Sequence, residues 1–219
     1  MKIAFIGAGS TVFAKNVLGD VLLTPTISQC EIALYDIDAN RLEESRHIIT
    51  SINIRYNNGK AVIRTFCGPD NRREALCGAD FIVAAIQVGG YDPCTKIDFE
   101  VPKRFGLRQT IADSMGVGGI FRALRTFPVF DDIMRDIVSC APNALFINYV
   151  NPMAMLTGYL QRFWPVKTIG LCHSVQTCSR ELLQNLGMED KLDGRIDLVA
   201  GINHMAWLLE IHDREGNDL

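Results

Sequence analysis

Short apolar runs alternate with amphipathic segments along most of the chain. Residues 2–6 form an apolar run that Gly7 closes, which is typical of a strand buried on both faces of a sheet. Similar runs predict further strands at residues 31–35, 61–66, 81–86, 145–149 and 166–171. Apolar positions at helical spacing predict intervening helices at residues 11–22, 38–56, 72–77, 120–138 and 153–162. This alternation predicts an α/β fold built on a doubly wound parallel sheet, the Rossmann arrangement.

The pattern changes near residue 171. A helix capped by Ser174 is predicted to run to about residue 186, and two strands of an antiparallel hairpin or edge sheet follow, at residues 195–200 and 205–212. The sequence therefore predicts a Rossmann domain followed by the beginning of a second, α+β domain, with bounds of 1–171 and 172–219. Because the sequence stops in a polar turn, we expect it to be the N-terminal part of a longer enzyme.

The segment from residue 87 to 119 interrupts the alternation, because glycine and proline recur along it. It predicts a helix around residues 98–105 and loop over much of the remainder. Long loops in compact domains are usually functional or disordered. We therefore expect this segment to be either functional or disordered.

Composition narrows the function classes. Lys and Arg total 22 against 25 Asp and Glu, a net charge of −3, so we expect neither nucleic acid nor an anionic membrane surface as a partner. The chain shows neither a secretory signal nor an apolar run of the ~20 residues that a membrane helix needs. Seven scattered cysteines without a CxxC motif favour free thiols in a reducing compartment, so a cytoplasmic location is expected.

A glycine turn between the first strand and the first helix predicts a dinucleotide site. Two glycines in the run Gly7, Ala8, Gly9 and Ser10 allow the backbone to approach a pyrophosphate, which the helix N-terminus also attracts. Val12 stands where the third glycine of the GxGxxG motif belongs. Asp36 ends the next strand, where an acid binds the ribose hydroxyls and disfavours a 2′-phosphate, so NAD is favoured over NADP.

Two further polar residues end predicted strands on the expected cofactor side. Gln87 follows the fourth strand and Asn148 ends the fifth. Either residue is a candidate cofactor contact, and either is equally a loop residue with satisfied hydrogen bonds. A turn that merely connects strand to helix, with Asp36 capping a loop, is the corresponding alternative for the glycine motif.

Three residues suggest chemistry beyond cofactor binding. Asn151 precedes Pro152 in a turn that resembles that of the lactate and malate dehydrogenases, where the asparagine faces substrate and nicotinamide; capping a helix is an equally sound role. Cys172 and His204 together are able to bind a divalent transition ion and leave positions open for substrate. A buried structural cysteine and a satisfied core histidine are the alternatives.

Several segments rich in glycine, asparagine or cysteine follow one another along the chain: GAGS at 7–10, QVGGY at 87–91, DSMGVGGIFRALRTFP at 113–128, NYVNPMA at 148–154, GLCHSVQ at 170–176 and AGINHMAW at 200–207. Together they resemble glycoside hydrolase family 4. The similarity covers essentially the whole chain and is greatest to the bacterial α-galactosidases, because Cys-His-Ser resembles their form of the segment after the metal-binding cysteine.

The resemblance implies hydrolysis of α-galactosides such as melibiose by redox-assisted elimination. NAD⁺ takes hydride from C3 of the sugar, Mn²⁺ holds the C2 and C3 oxygens, the C2 proton and the leaving group depart, water adds, and NADH returns the hydride. It further implies that Cys172 and His204 bind the metal and that His173 donates a proton to the leaving group. Asn151 is then a substrate contact.

The same resemblance implies that the general base, much of the substrate pocket and the oligomer contacts lie outside this chain, with a homo-oligomer expected for the full-length form. Arg122 and Arg125 are expected to be structural, because an unphosphorylated sugar needs no cationic phosphate pocket. Two other functions stay open on the sequence. They are an NAD-dependent 2-hydroxy-acid dehydrogenase and a truncated, non-catalytic NAD-binding fragment.

Overall fold

The computed structural model describes residues 1–109, 116–172, 174–202 and 204–219. These residues form two units, Met1–Gly170 and Leu171–Leu219. The first unit contains strands β1 (Lys2–Ile6), β2 (Glu31–Asp36), β3 (Val62–Cys67), β4 (Phe81–Ala84), β5 (Leu145–Asn148) and β6 (Lys167–Gly170). Its helices are α1 (Thr11–Leu23), α2 (Ala39–Asn57), α3 (Arg72–Leu76), α4 (Lys96–Arg104), α5 (Gly116–Cys140) and α6 (Met153–Phe163).

The strands of the first unit pair in the order β3-β2-β1-β4-β5-β6, and every pairing is parallel. Phe5 of β1 is in register with Leu34 on one side and with Val83 on the other. Chain order reverses between β1 and β4, and ligands of doubly wound sheets bind at the carboxyl ends of the strands at this switch point. The predicted Rossmann arrangement is therefore confirmed.

The central strand divides its side chains between two apolar layers, because successive residues of a strand point to opposite faces. Phe5 packs in one layer with Leu18 and Ile49 of helices α1 and α2. Ile6 packs in the other with Phe130 of α5 and Phe146 of β5, whose ring centroids are 5.7 Å apart. Full burial of such a side chain stabilises the fold by roughly 1.5–3 kcal/mol, so the two layers fix the sheet between its helices.

The ends of these elements agree with the sequence expectations to within a few residues. Asp38 caps α2 as predicted, since its Oδ1 accepts hydrogen bonds from the backbone N–H groups of Asn40 and Arg41. Helix α5 begins at Gly116, earlier than the predicted residue 120. The segment after β4 contains an irregular helical turn, Gly90–Thr95, that leads directly into α4, so it has more structure than the predicted loop.

The second unit consists of helix α7 (Ser174–Asn185) and the antiparallel strands β7 (Ile196–Ile202) and β8 (Met205–His212). Gly187, at φ +70°, ends α7 in a Schellman motif, because the N–H of Met188 donates to the carbonyl of Leu183. The predicted hairpin is confirmed. Within the described ranges, no helix combines the length and apolarity needed to cross a membrane.

Candidate functional site

The turn after β1 requires glycine at its first position. Gly7 has a φ of +86°, and a Cβ atom there would lie 2.5 Å from the carbonyl oxygen of Ala85. The N–H groups of Gly7 and Ala8 both donate to the carbonyl of Tyr35, at 2.9 and 3.0 Å. The turn is therefore held against β2 on one side and the end of β4 on the other, and it leaves no room for a side chain.

Asp36 explains the second glycine. Its Oδ2 accepts a hydrogen bond from the N–H of Gly9 at 2.6 Å, and its Oδ1 accepts one from the N–H of Asp38 at 2.9 Å. A Cβ atom at Gly9 would lie 2.7 Å from Asp36 Oδ2. Because each carboxylate oxygen has further acceptor capacity and Asp36 is only partly buried, the same carboxylate is able to accept a ribose hydroxyl.

The missing third glycine is tolerated because Val12 is 67% exposed and does not lie between helix and sheet. Ser10 is the residue before helix α1, and its side chain makes no capping hydrogen bond. The first N–H groups of a helix lack intrahelical partners and carry the positive end of its dipole. The glycine turn, Asp36 and the open end of α1 thus fit the pyrophosphate and ribose of a dinucleotide.

Gln87 and Asn148 make hydrogen bonds within the chain. The exposed Gln87 donates from Nε2 to Thr95 Oγ1 at 2.8 Å. Asn148 is fully buried, donates from Nδ2 to Thr157 Oγ1 at 3.1 Å, and accepts from the N–H of Val150 at 2.9 Å. Both therefore have the partners expected of satisfied loop residues, and their cofactor contacts stay predictions.

Sequence reasoning missed an ion pair beside the segment after β4. The carboxylate of Asp98, in α4, is buried and binds the guanidinium of Arg125, in α5. Arg125 also donates from Nε to the carbonyl of Val88 at 3.2 Å. These contacts agree with the structural role expected for Arg125. The sequence offered no signal for the pairing, because Asp98 lies among other charged residues of an amphipathic helix.

Asn151 lies in the turn between β5 and α6 and is partly buried. It immediately follows Val150, whose N–H is bound by Asn148, so the turn is fixed at its first residue. Pro152 is the N-cap residue of α6 and Met153 is its first residue, so Asn151 lies one position before the cap and not at the position that the capping alternative gives it. The substrate contact of Asn151 stays a prediction.

Cys172 and His204, both in the second unit, lie close together, and their binding of a metal stays a prediction. Cys172 Sγ lies 3.5 Å from His204 Nε2 and 3.0 Å from Ser174 Oγ. His204 belongs to the turn between β7 and β8 and has a φ of +62°, a left-handed conformation that hairpin turns favour. Hairpin formation thus carries the imidazole back to the thiol that precedes α7.

The pair fits a transition-metal ion in donor type and spacing. An ion about 2.3 Å from sulfur and about 2.1 Å from nitrogen would place these donors roughly 3.1–3.6 Å apart for ligand angles of about 90–110°, and the observed separation is 3.5 Å. His204 Nδ1 is buried and lacks a hydrogen-bond partner within the described part of the chain. No cluster of three or more His, Cys, Asp or Glu side chains suited to a metal occurs there. His173 lies outside the described residues.

Known proteins resemble this chain in sequence over nearly its whole length. The model of the family 4 glycosyl hydrolases matches residues 2–188. An α-galactosidase of Bacillus subtilis (strain 168) is 57% identical over 218 residues, which are 100% of this chain and 49% of the relative. An α-galactosidase of Rhizobium meliloti is 36% identical over 96% of this chain and 42% of the relative. An α-galacturonidase of Thermoanaerobacterium saccharolyticum is also 36% identical, over 95% of this chain and 45% of that protein. The chain thus spans about half the length of these relatives.

Solved structures give the same fold. A 6-phospho-beta glucosidase from Thermotoga maritima with manganese, NAD⁺ and glucose-6-phosphate matches with a TM-score of 0.83 at 24% identity, over 100% of this chain and 50% of that one. A lactate dehydrogenase from Eimeria maxima with NADH and oxamate matches with a TM-score of 0.68 at 14% identity, over 99% and 57% of the two chains. These two neighbours share the fold, and the family match over residues 2–188 goes further: this chain belongs to family 4 of the glycosyl hydrolases.

Proposed function

We propose that this chain carries the NAD⁺ and Mn²⁺ sites of an α-galactosidase that hydrolyses α-galactosides such as melibiose. The observation that carries the proposal is the approach of Cys172 Sγ to His204 Nε2 at 3.5 Å, in a chain of family 4. A thiolate and an imidazole at this spacing suit a transition ion, which a plain Rossmann dehydrogenase has no need to bind.

The cofactors are supported independently by the two units. In the first unit, the glycine turn and Asp36 form a cradle that suits NAD⁺ and disfavours a 2′-phosphate. In the second unit, the Cys172–His204 pair supplies two protein ligands. The T. maritima neighbour that contains manganese and NAD⁺ has the same fold, so this combination of groups is compatible with it.

Bound NAD⁺ would accept hydride from C3 of the galactose ring, and bound Mn²⁺ would polarise the resulting carbonyl. The chain's own residues hold these groups and orient the substrate. Cys172 and His204 retain the metal, Asp36 binds the adenosine ribose, and Asn151 contacts the substrate. His173 donates the proton that the leaving glycosidic oxygen needs, a role that suits an imidazole near neutral pH.

We infer that the substrates are galactosides rather than galacturonides. The α-galactosidase relative is 57% identical to this chain, whereas the α-galacturonidase is 36% identical. Parallel assays with p-nitrophenyl α-galactoside and p-nitrophenyl α-galacturonide separate the two, and faster release from the galacturonide would contradict the preference.

The decisive experiment measures p-nitrophenol release from p-nitrophenyl α-galactoside under reducing conditions, with NAD⁺ and Mn²⁺ added singly and together. It is run on the 219-residue chain and on the 57% identical B. subtilis relative. Where either protein releases p-nitrophenol, we expect the release to require both cofactors. Hydrolysis without NAD⁺ would refute the redox route, and net NADH accumulation with a 2-hydroxy acid would favour a dehydrogenase instead.

A substitution at the metal pair tests the assignment separately. Cys172→Ser is expected to abolish Mn²⁺ binding and Mn²⁺-dependent release while NAD⁺ affinity is retained, because the two sites lie on different units. The matched control is Cys178→Ser, which removes an exposed thiol of the same helix region. A 219-residue chain that binds both cofactors but shows no turnover beside an active relative would identify a non-catalytic fragment.

The reduced state of the cysteines supports a cytoplasmic location for this activity. All seven cysteines are free, including Cys172, whose thiolate a metal requires. A homo-oligomer in the full-length form stays a prediction.

A further inference from the structure

The segment after β4 borders the candidate NAD⁺ crevice. Strands β1 and β4 are neighbours at the switch point of the sheet. At Gly7, an added Cβ would lie 2.5 Å from the carbonyl oxygen of Ala85 and 2.8 Å from Ile86 Cγ2, so the glycine turn contacts the first residues after β4. Any displacement of the following residues, which include Gln87, therefore changes the wall of the crevice.

One guanidinium fixes this segment. Arg125, in α5, donates from Nη1 and Nη2 to the two carboxylate oxygens of Asp98 at 3.1 and 2.5 Å. Its Nε donates to the carbonyl of Val88 at 3.2 Å. All three nitrogens of the planar fork are used, so a single side chain ties the segment after β4 to both α4 and α5.

The Asp98 carboxylate is buried and therefore needs Arg125 as its partner. The Asp98 side chain is 2% exposed and that of Arg125 is 24% exposed. A buried carboxylate without its partner is strongly unfavourable, so Arg125 is held where Asp98 places it. The hydrogen bond from Arg125 to Asp98 also raises the pKa of the guanidinium.

The neighbouring backbone is shaped to this arrangement. Gly89 has a φ of +83°, and a Cβ atom there would lie 3.2 Å from Arg125 Cδ and 2.4 Å from Cys94 Sγ. The segment therefore passes directly over the stem of Arg125. Gln87 also donates a hydrogen bond to Thr95, which joins two distant positions of the same segment.

We propose that Asp98 and Arg125 act as positioning residues that hold the segment after β4 in its NAD⁺-binding conformation, so that the pair sets NAD⁺ affinity without touching the cofactor. The inference rests on the proposed NAD⁺ site. A purely structural ion pair would instead change stability alone. The same helix supplies such a comparison, since Asp136 of α5 accepts a hydrogen bond from Arg72 Nε at 2.7 Å, with side-chain exposures of 19% for Arg72 and 20% for Asp136.

The test compares Arg125→Lys and Arg125→Met with Arg72→Lys and Arg72→Met in the 219-residue chain. NAD⁺ dissociation constants come from calorimetric titration well below each variant's melting temperature, and amide hydrogen exchange is followed over residues 85–95. We expect the Arg125 variants to bind NAD⁺ about tenfold more weakly, since a displaced supporting residue loosens the site it holds. Arg125→Lys keeps the charge but not the fork, and is expected to lie between wild type and Arg125→Met.

The Arg72 variants are expected to lower the melting temperature and leave the NAD⁺ dissociation constant within about twofold of wild type. Faster hydrogen exchange over residues 85–95 should occur only in the Arg125 variants. If wild type binds NAD⁺ and the Arg125 variants bind equally well, or if Arg72 and Arg125 variants weaken binding alike, the inference is overturned while the proposed function stands. A wild-type chain that binds no NAD⁺ overturns the proposed function and this inference with it.

Discussion

The two candidate sites of this chain are built in different ways. In the first unit, the turn at Gly7 and Gly9 is made from backbone whose N–H groups are already bound by Tyr35 and Asp36. In the second unit, the metal pair consists of two side chains whose polar atoms face each other, and His204 Nδ1 lacks a hydrogen-bond partner within the described ranges. The backbone of the first site is thus held in shape by hydrogen bonds within the chain, whereas the second site is formed by side chains.

Burial sharpens the contrast. The strands around the glycine turn are buried on both faces, and Phe5 and Leu34 have no exposed surface. The hairpin that presents His204 carries large exposed apolar side chains, with Met205 69% and Trp207 76% exposed. Less of the hairpin is buried against the rest of its own unit, so less free energy fixes its geometry. A ligand should therefore change the second site more than the first.

The largest effect is expected for Gly7→Ala. Alanine at φ +86° is strained, and its Cβ would lie 2.5 Å from the carbonyl oxygen of Ala85. We expect a loss of about 3 kcal/mol of stability together with loss of NAD⁺ binding, measured by urea unfolding and calorimetry. Gly59→Ala is the control, because Gly59 has a φ of +68° with nothing within 4 Å of an added Cβ. Gly59→Ala should lower the free energy of unfolding by only about 1 kcal/mol. Equal losses would show that the first site is not tightly preformed.

Mn²⁺ should stabilise the second unit next most strongly. At free Mn²⁺ about a hundredfold above its dissociation constant, binding adds about 2.7 kcal/mol. We expect slower hydrogen exchange across β7 and β8 in wild type and in Cys178→Ser, but not in Cys172→Ser. Protection that persists in Cys172→Ser would place the ion elsewhere and remove the contrast between the two sites.

Asp36→Asn should weaken NAD⁺ binding by about 1–2 kcal/mol, because the amide replaces a charged acceptor for Gly9 and for the ribose. The preference for NAD⁺ over NADP⁺ should narrow at the same time, as repulsion of a 2′-phosphate disappears. Asp38→Asn is the matched control, since Asp38 caps α2 and asparagine is also a good cap. Dissociation constants for both nucleotides decide the result. An unchanged ratio of the two dissociation constants would show that Asp36 does not set the preference for NAD⁺ over NADP⁺.

The smallest expected effect is the pH dependence of the stability of the β7–β8 hairpin. A hydrogen bond from His212 to Glu210, 2.7 Å between Nε2 and Oε2, raises the pKa of His212 above its ordinary 6.5. A raised pKa in the folded state contributes stability below pH 6.5 that is lost as pH rises through the folded value. We therefore expect β7–β8 amides to exchange slightly more readily above that value, after correction for intrinsic exchange. In Glu210→Gln, NMR titration should return the His212 pKa towards 6.5. A pKa that does not move would assign the shift to another group.

The fold was largely predictable because its determinants are local. Apolar runs, helical spacing, the Asp38 cap and the glycine turn are each set within a few residues, and the structure has the predicted strands and the hairpin. The meeting of Cys172 with His204 was suggested by residue chemistry and by resemblance. Its geometry required the hairpin, which brings together residues 32 positions apart.

Other parts of the site carried no local signal. The pairing of Asp98 with Arg125 joins positions 27 apart on two helices, and nothing in either helix pattern distinguishes these charges from exposed ones. The hydrogen bonds of Asn148 to Val150 and Thr157 likewise join residues that its position at a strand end does not identify as partners.

By itself, the sequence determined the alternation of strands and helices, the need for glycine at the first turn and the residue types available for NAD⁺ and a metal. Only the tertiary structure decided that Asp36 occupies the space a side chain at Gly9 would need, that Arg125 holds the segment after β4, and that Cys172 and His204 lie 3.5 Å apart. The reason is physical. Local propensities depend on neighbours along the chain, whereas these contacts depend on which distant residues the packed sheet and the hairpin bring within bonding distance.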